Sequence, residues 1–304
     1  MTAVSREFDV YWNSASAYPA AGFVGTAGPG AAEKLLTQFA QKRADPIAVA
    51  YLDAVQRTTL LNEVRDHTLG IEWTTGSVMY DDPAKTLEPE ARTDVLLLPQ
   101  LVKSLGRPEK SLDIVSPYFV PGDEGTATLS DLARRGVRVR ILTNSLAASD
   151  ESVVHAGYAH RRTDLLRAGV ALWEIKPTAT EESLEVKGRF GAAKVAGLHA
   201  KLYAVDGRRI FVGSFNFDQR SAKLNTEMGI VLDSARFAGD LAQVFDEEVP
   251  RIAYEVRLAP DSGGLVWIER TPSGEMRYDV EPQTDWWLRM KVELLSILPI
   301  EWLL

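Results

Sequence analysis

Residues 197–227, from Gly197 to Glu227, read GLHAKLYAVDGRRIFVGSFNFDQRSAKLNTE. The stretch sets His199, Lys201 and Asp206 at the spacing His-x-Lys-x4-Asp and follows them with Gly213, Ser214 and Asn216. Six specified identities at an average usage of about 5% each arise by chance at roughly one start position in 10⁷ to 10⁸. Leu202 to Val205 read as a strand, Gly207 with two arginines as a tight turn, and Ile210 to Val212 as the returning strand of a hairpin. Period-two geometry then puts His199 and Lys201 on one face. A further strand from Glu227 to Leu232 brings Glu227 behind His199.

These residue types suit displacement at a phosphodiester. Attack on phosphorus meets its negative oxygens, so the site must supply a nucleophile, neutralise those oxygens and deliver a proton to the departing alkoxide. One histidine can attack and a second can protonate. Lys201 offers a compact cation, and the Ser214 hydroxyl and Asn216 amide offer donors to non-bridging oxygens; one such preorganised donor is worth about 3 kcal/mol. Gly213 permits the backbone to approach a phosphate closely. A Glu227 carboxylate behind His199 fixes the imidazole tautomer and raises its basicity. Nothing in this scheme requires a metal. Asp206 joins His199, Lys201 and Glu227 as a candidate catalytic residue, but it sits at a turn, where aspartate commonly caps backbone donors. Both duties fit its position.

The set resembles the HKD motif of the phospholipase D superfamily. The resemblance implies that His199 forms a covalent phosphohistidine, that Lys201 and Asn216 bind phosphate, and that Glu227 orients His199. Ser116-Pro117-Tyr118-Phe119-Val120-Pro121, Leu142-Thr143-Asn144-Ser145 and Val154-His155-Ala156-Gly157-Tyr158 extend the likeness over most of the chain, toward bacterial cardiolipin synthases. What this implies is a phosphatidyltransferase making cardiolipin from phosphatidylglycerol and a second phospholipid, with no metal or organic cofactor. Water in place of the acceptor alcohol turns the same site into a phosphodiester hydrolase, a phospholipase or a nuclease. Members of the family pair two HKD motifs, in one chain or across two identical chains. Here His67, His155 and His160 lack lysine at the second following position, leaving one motif. Arg6 to Ser14 (REFDVYWNS) is similar to the segment after a first motif. The likeness therefore implies a half-enzyme whose second motif comes from a missing N-terminal half or a homodimer partner.

Bulk properties bound the alternatives. The 304 residues are 45% hydrophobic and 25% charged, ordinary for a globular protein. The absence of cysteine excludes disulfides, thiolate metal sites and cysteine nucleophiles, and fits a reducing compartment. A net charge of -8 and a pI near 5.2 weigh against nucleic acid as a partner. No signal-like N-terminus and no apolar run approaching about 18 residues is present. The expectation is a cytoplasmic protein, peripheral at the inner face of the cell membrane, with phospholipid as its partner.

The fold class expected is α/β, a phospholipase D-like mixed β-sheet flanked by helices on both faces. Residues 1–30 read as a tail and linker resembling the end of a first phospholipase D half. Residues 31–90 read as a helical connecting region, with helices over Ala31–Arg43 and from Pro46 to about Leu69, Asp45 as N-cap, and a strand over Ile71–Tyr80. Residues 91–304 read as the catalytic domain: strand 112–116, helix 127–135, strand 137–142, helix 151–168 and strand 170–175, then the motif hairpin. The polar segment 177–197 is expected as a loop at the site mouth. A helix over 235–249, three strand-like runs ending near Val280 and a C-terminal amphipathic helix follow.

Three further features have two readings each. His155 and Tyr158 share a helical face and either line a headgroup pocket or are ordinary surface residues. Tyr118 and Phe119 contact substrate or, as favoured here, cap the core. In the C-terminal helix Trp287, Met290, Leu294 and Leu298 share an apolar face, opposite Asp285, Arg289, Glu293 and Ser296. That face docks on the core or a twin subunit, or lies in a lipid interface with Trp286, Trp287 and Trp302 at headgroup level.

Overall fold

The computed structural model describes residues 2–57, 59–87, 96–177 and 198–297. The loop expected over 177–197 lies, beyond Pro177, outside the described residues, as do Leu298 and Trp302.

The strands are β1 (Gly76–Tyr80), β2 (Ser111–Val115), β3 (Arg138–Asn144), β4 (Ala171–Ile175), β5 (Leu202–Val205), β6 (Arg209–Gly213), β7 (Met228–Asp233), β8 (Ala253–Leu258), β9 (Leu265–Thr271) and β10 (Gly274–Tyr278). They form one sheet in the order β1-β7-β6-β5-β2-β3-β4-β8-β9-β10. Among the described strands β2, β3 and β4 pair in parallel, because helices cross over between them, and the neighbours on either side pair antiparallel.

The helices are α1 (Thr2–Trp12), α2 (Ala31–Arg43), α3 (Pro46–Arg57), α4 (Thr59–Arg65), α5 (Leu97–Leu105), α6 (Gly122–Arg134), α7 (Ser152–Ala159), α8 (Arg162–Arg167), α9 (Gln219–Lys223), α10 (Ala235–Glu247), α11 (Val249–Ile252) and α12 (Trp286–Ser296). Both faces of the sheet are covered, as alternate residues of one strand show. Tyr203 and Val205 join a core beneath α5, α6 and α8, while Leu202 and Ala204 join the core beneath α10. The central strands are buried on both faces and read as continuous apolar runs for that reason.

Several expectations shift in detail. The long helix expected over 151–168 is two helices, α7 and α8, with Arg161 between them. The helix expected over 46–69 is described as α3 and α4, on either side of a residue outside the described ones, and ends at Arg65. The stretch read as a tail contains α1, anchored where the Tyr11 hydroxyl donates to the Asp81 carbonyl at 2.5 Å. Strand β1, read as part of the connecting region, pairs with β7 and so extends the catalytic sheet.

The C-terminal helix docks, but by a different face from the one expected. Leu288, Val292 and Leu295 pack against Leu146, Ala156 and Ala159, a narrow seam that suits the small residues of α7. Trp287 (60% exposed), Met290 (37%) and Leu294 (60%) point away from it.

Candidate functional site

The motif hairpin turns at Asp206 (φ 55°) and Gly207 (φ 62°), both left-handed, a conformation that aspartate and glycine tolerate best. The turn is closed by Arg208 N–H donating to the Val205 carbonyl at 3.0 Å. Val115 lies opposite Leu202 in the antiparallel β2–β5 pair, so Lys201 enters the sheet beside the C-terminal end of β2. Chain ends of the parallel strands are where open sheets present ligand-binding groups.

His199 lies just outside the strand and is exposed, whereas Lys201 is 8% exposed. The backbone around His199 is held from both sides. Leu198 N–H donates to Asn144 Oδ1 (2.8 Å) and Asn144 Nδ2 donates to the Leu198 carbonyl (3.3 Å). Lys201 Nζ donates to the His199 carbonyl at 2.9 Å. The imidazole itself makes no hydrogen bond to any described residue. Burial lowers the Lys201 pKa, and the carboxylates of Glu227 and Asp218 oppose that shift only in part.

Across the hairpin, Gly213 N–H donates to the Lys201 carbonyl at 3.3 Å and Gly213 pairs with Gly229. Gly213 was expected to make room for phosphate, but a ring takes that room. A Cβ on Gly213 meets Phe211 Cζ and the Met228 carbonyl oxygen at 2.5 Å, and one on Gly229 collides with the same Phe211 ring. Phe211 is fully buried and stacks on Tyr203 at 5.4 Å between centroids. The glycines therefore seat an aromatic that carries about 3–5 kcal/mol of core packing.

Beyond Gly213 the chain forms a polar cradle. Ser214 Oγ and Ser221 Oγ both donate to the Glu227 carboxylate, the second at 3.0 Å. Asn216 N–H donates to Ser221 Oγ at 3.2 Å. The Asn216 side-chain oxygen is buried and has no hydrogen-bond partner among the described residues; it is an acceptor, so a phosphate oxygen would be met by the Nδ2 donors of the same amide. Ser214, Asn216 and Glu227 are thus linked through Ser221, and Lys201 lies within electrostatic reach of Glu227, with one difference from the arrangement expected. The Glu227 carboxylate grips the two serine hydroxyls of its own cradle, and the expected brace on His199 is absent among the described residues. Pairing explains it: Ser214 N–H donates to the Met228 carbonyl at 2.9 Å, which puts Glu227 alongside Ser214.

Asp206 does not join this group. It lies five residues from Lys201 along β5, roughly 16 Å at the rise of an extended chain. Its carboxylate accepts the N–H groups of Glu109 (3.1 Å), Lys110 (2.7 Å) and Ser111 (2.9 Å). Burial pushes its pKa up, but these donors outweigh burial and the net shift is downward. The capping duty is the one the geometry supports.

His155 and Tyr158 do not line an open pocket either. Both are buried, at 3% and 2% exposure, in a charged cluster. Arg162 donates to Glu281 (2.5 Å) and Glu174 (3.1 Å), Trp267 Nε1 donates to Glu174 (2.8 Å), and His155 Nε2 lies 3.2 Å from Glu281. Burial pushes the Glu281 pKa up, but Arg162 and His155 bring it down to about 2. His155 meets Glu281 from the segment before α12 and Arg162 from α8, and the rest of the cluster comes from β4 and β9, which a helical wheel does not reveal. Phe119 is a core residue packed on Tyr158 and Phe217, and Tyr118 Oη donates to Asp150 at 3.0 Å.

Residues 101–249 match the family described as cardiolipin synthase, PLD-like domain, and this span holds the whole motif. The chain belongs to the phospholipase D superfamily. It is 43% identical over 262 residues to Cardiolipin synthase C of Escherichia coli (strain K12), covering 86% of this chain and 54% of that protein. It is 34% identical over 153 residues to Cardiolipin synthase A of Pectobacterium carotovorum subsp. carotovorum (strain PC1), covering 50% and 27%. This phospholipase D-like chain thus spans about half the length of the first relative and about a quarter of the second. Among solved structures, the phospholipase D family member Nuc from Salmonella typhimurium superposes with a TM-score of 0.43 at 14% identity, covering 61% of this chain and 99% of that one.

Sequence reasoning missed three members of the site: Asp81, Lys85 and Ser221. Asp81 and Lys85 stand four apart in sequence, a spacing that is readable. Their link to residues 221–227 is not readable, because it spans more than a hundred residues of chain.

Proposed function

We propose that this chain supplies one catalytic half of a phospholipase D-type phosphatidyltransferase that makes cardiolipin from phosphatidylglycerol and a second phospholipid. The observation that carries the reading is the exposed His199 imidazole beside a buried lysine, with a buried Asn216 side chain whose oxygen has no partner among the described residues, in a chain 43% identical to Cardiolipin synthase C.

In the first step an imidazole nitrogen of His199, or of its counterpart in a second motif, attacks the phosphatidyl phosphorus. The bond from phosphorus to the headgroup oxygen breaks, and the other histidine gives that oxygen its proton. In the second step a hydroxyl of phosphatidylglycerol loses its proton to that same base and its oxygen attacks phosphorus. The phosphorus–nitrogen bond then breaks and His199 is restored. Lys201 and the Asn216 Nδ2 hold the non-bridging oxygens through both steps, joined by Ser214 once its hydroxyl proton turns from Glu227 to the phosphate. The second motif comes from a preceding half or from a second copy of the chain.

No helix among the described residues is long and apolar enough to cross a membrane. Contact with lipid is assigned to the outer face of α12, at the inner surface of the cell membrane. There Trp286 and Trp287 stack at 3.8 Å and, with Met290 and Leu294, present indole and aliphatic surface. Replacing both tryptophans by serine is expected to weaken co-sedimentation with phosphatidylglycerol vesicles.

The test of the activity is product analysis of the complete assembly with vesicles of phosphatidylglycerol, with and without phosphatidylethanolamine, and with single-stranded DNA. Cardiolipin is expected, with a phosphoryl adduct trapped on His199 or its counterpart. Hydrolysis products alone, or cleaved DNA without cardiolipin, overturn the transferase reading in favour of a hydrolase.

A further inference from the structure

A buried ion pair outside the matched domain holds the phosphate cradle. Asp81 is 0% exposed and Lys85 4%, and Lys85 Nζ donates to Asp81 Oδ2 at 2.8 Å. A buried pair of this kind contributes little net stability, because desolvation offsets most of the attraction. What it grips is therefore informative. Asp81 Oδ2 also accepts Glu227 N–H (2.9 Å), and the Asp81 N–H donates to the Glu227 carbonyl (2.9 Å), so both backbone groups of Glu227 are fixed by one residue. Asp81 Oδ1 accepts Leu97 N–H at 2.7 Å, tying the arrangement to α5. Lys85 Nζ meanwhile donates to the Ser221 carbonyl at 2.9 Å.

These contacts fall on the two residues that organise the cradle. Glu227 receives the Ser214 and Ser221 hydroxyls, and Ser221 receives Asn216 N–H. We infer that Asp81 and Lys85 are positioning residues that set the Ser214 and Asn216 donors for phosphate, acting through Glu227 and Ser221 without touching substrate. The inference rests on the proposed phosphate site. It adds a requirement that the matched domain be completed by residues 76–87, whose strand β1 forms the sheet edge beside β7.

The test compares this pair with a second buried ion pair. Arg140 (6% exposed) binds Asp113 (2%) at 2.7 Å, with Arg140 on β3 and Asp113 on β2. Inorganic phosphate is titrated into the complete protein and into Lys85→Met, followed by isothermal calorimetry and by the His199 imidazole resonances. Asp81→Asn/Lys85→Met, which removes both charges together, guards against misfolding of the single variant. Asp113→Asn/Arg140→Met is the control, and near-UV circular dichroism measures the folded fraction of each.

Phosphate affinity per folded molecule is expected to fall about 10- to 100-fold in the Asp81 and Lys85 variants, the usual effect of removing an outer support of a binding group. It is expected to stay within about twofold in the control, whose pair touches no cradle residue. In turnover assays kcat is expected to fall along with phosphate affinity. Wild-type binding with unchanged affinity in the variants overturns the inference alone. Equal loss in the control, or failure of both Asp81 and Lys85 variants to fold, makes the pair a stability element and overturns it too. Absence of phosphate binding in the wild type overturns the proposed site itself.

Discussion

The two ends of strand β5 carry residues of one motif and do different work. At the first end Lys201 is buried against carboxylates and faces the cradle of Ser214, Asn216 and Glu227. At the other end Asp206 turns the hairpin and binds the N–H groups of residues 109–111, which start β2. The spacing His-x-Lys-x4-Asp thus records the length of a strand as much as a constellation of reacting groups. One end places charge at the proposed phosphate site, and the other ties the strand that carries it to the segment leading into β2.

The largest expected break between the ends is His199→Ala. Turnover in the complete assembly is expected to vanish, with a thermal midpoint near that of wild type because the side chain is exposed. Residual full activity removes His199 from the mechanism.

Lys201→Ala is expected to lower kcat/KM by about 10²–10³-fold. Its pH profile sharpens the point. Burial holds the folded pKa of Lys201 below that of an ordinary lysine, so the cation is lost at lower pH. An alkaline limb in kcat/KM is therefore expected below pH 10.5, and Lys201→Arg should remove it. A limb unchanged in Lys201→Arg assigns it to another group.

Glu227→Gln is expected to cost less than either, because it loosens Ser214 and Ser221 without removing a group that meets phosphate. A drop of about 10-fold in kcat is anticipated. Loss as complete as in His199→Ala restores the direct brace on the imidazole that the pairing of Ser214 with Glu227 argues against.

Asp206→Asn is expected to leave kcat per folded molecule unchanged and to cost about 1–2 kcal/mol in chemical denaturation. The folded carboxyl has a lowered pKa, so its stabilising contribution is full above the ordinary carboxylate range and is lost as pH falls through the depressed value. The difference between wild type and Asp206→Asn should therefore start to shrink below about pH 4 and close only once pH falls through the depressed value. A kcat that falls with Asp206→Asn at equal stability returns this residue to the chemistry.

The two-sided burial of β2, β3 and β4 was legible as apolar runs separated by helical stretches, and the hairpin as Asp-Gly between β-forming segments. The register that sets Lys201 across from Gly213 was legible because hairpin register follows from local sequence. His155 and Tyr158 were misplaced for the opposite reason. Burial in the Arg162, Glu174 and Glu281 cluster depends on strands β4 and β9 and on the segment before α12. The docked face of α12 was missed likewise, since two apolar stripes compete on that helix and the small residues of α7 select between them.

The sequence by itself determined the chemistry of this protein: a histidine, a lysine, a serine and an asparagine at strand-and-turn spacing, with family membership carried by identities along the chain. Tertiary structure alone decided which carboxylate serves which partner. Glu227 went to its own serines, Asp206 to a neighbouring strand, and Asp81 to the backbone of Glu227. The physical reason is range. Hairpin geometry is set by neighbours a few residues apart, whereas a buried carboxylate takes whichever donors the packed sheet leaves beside it.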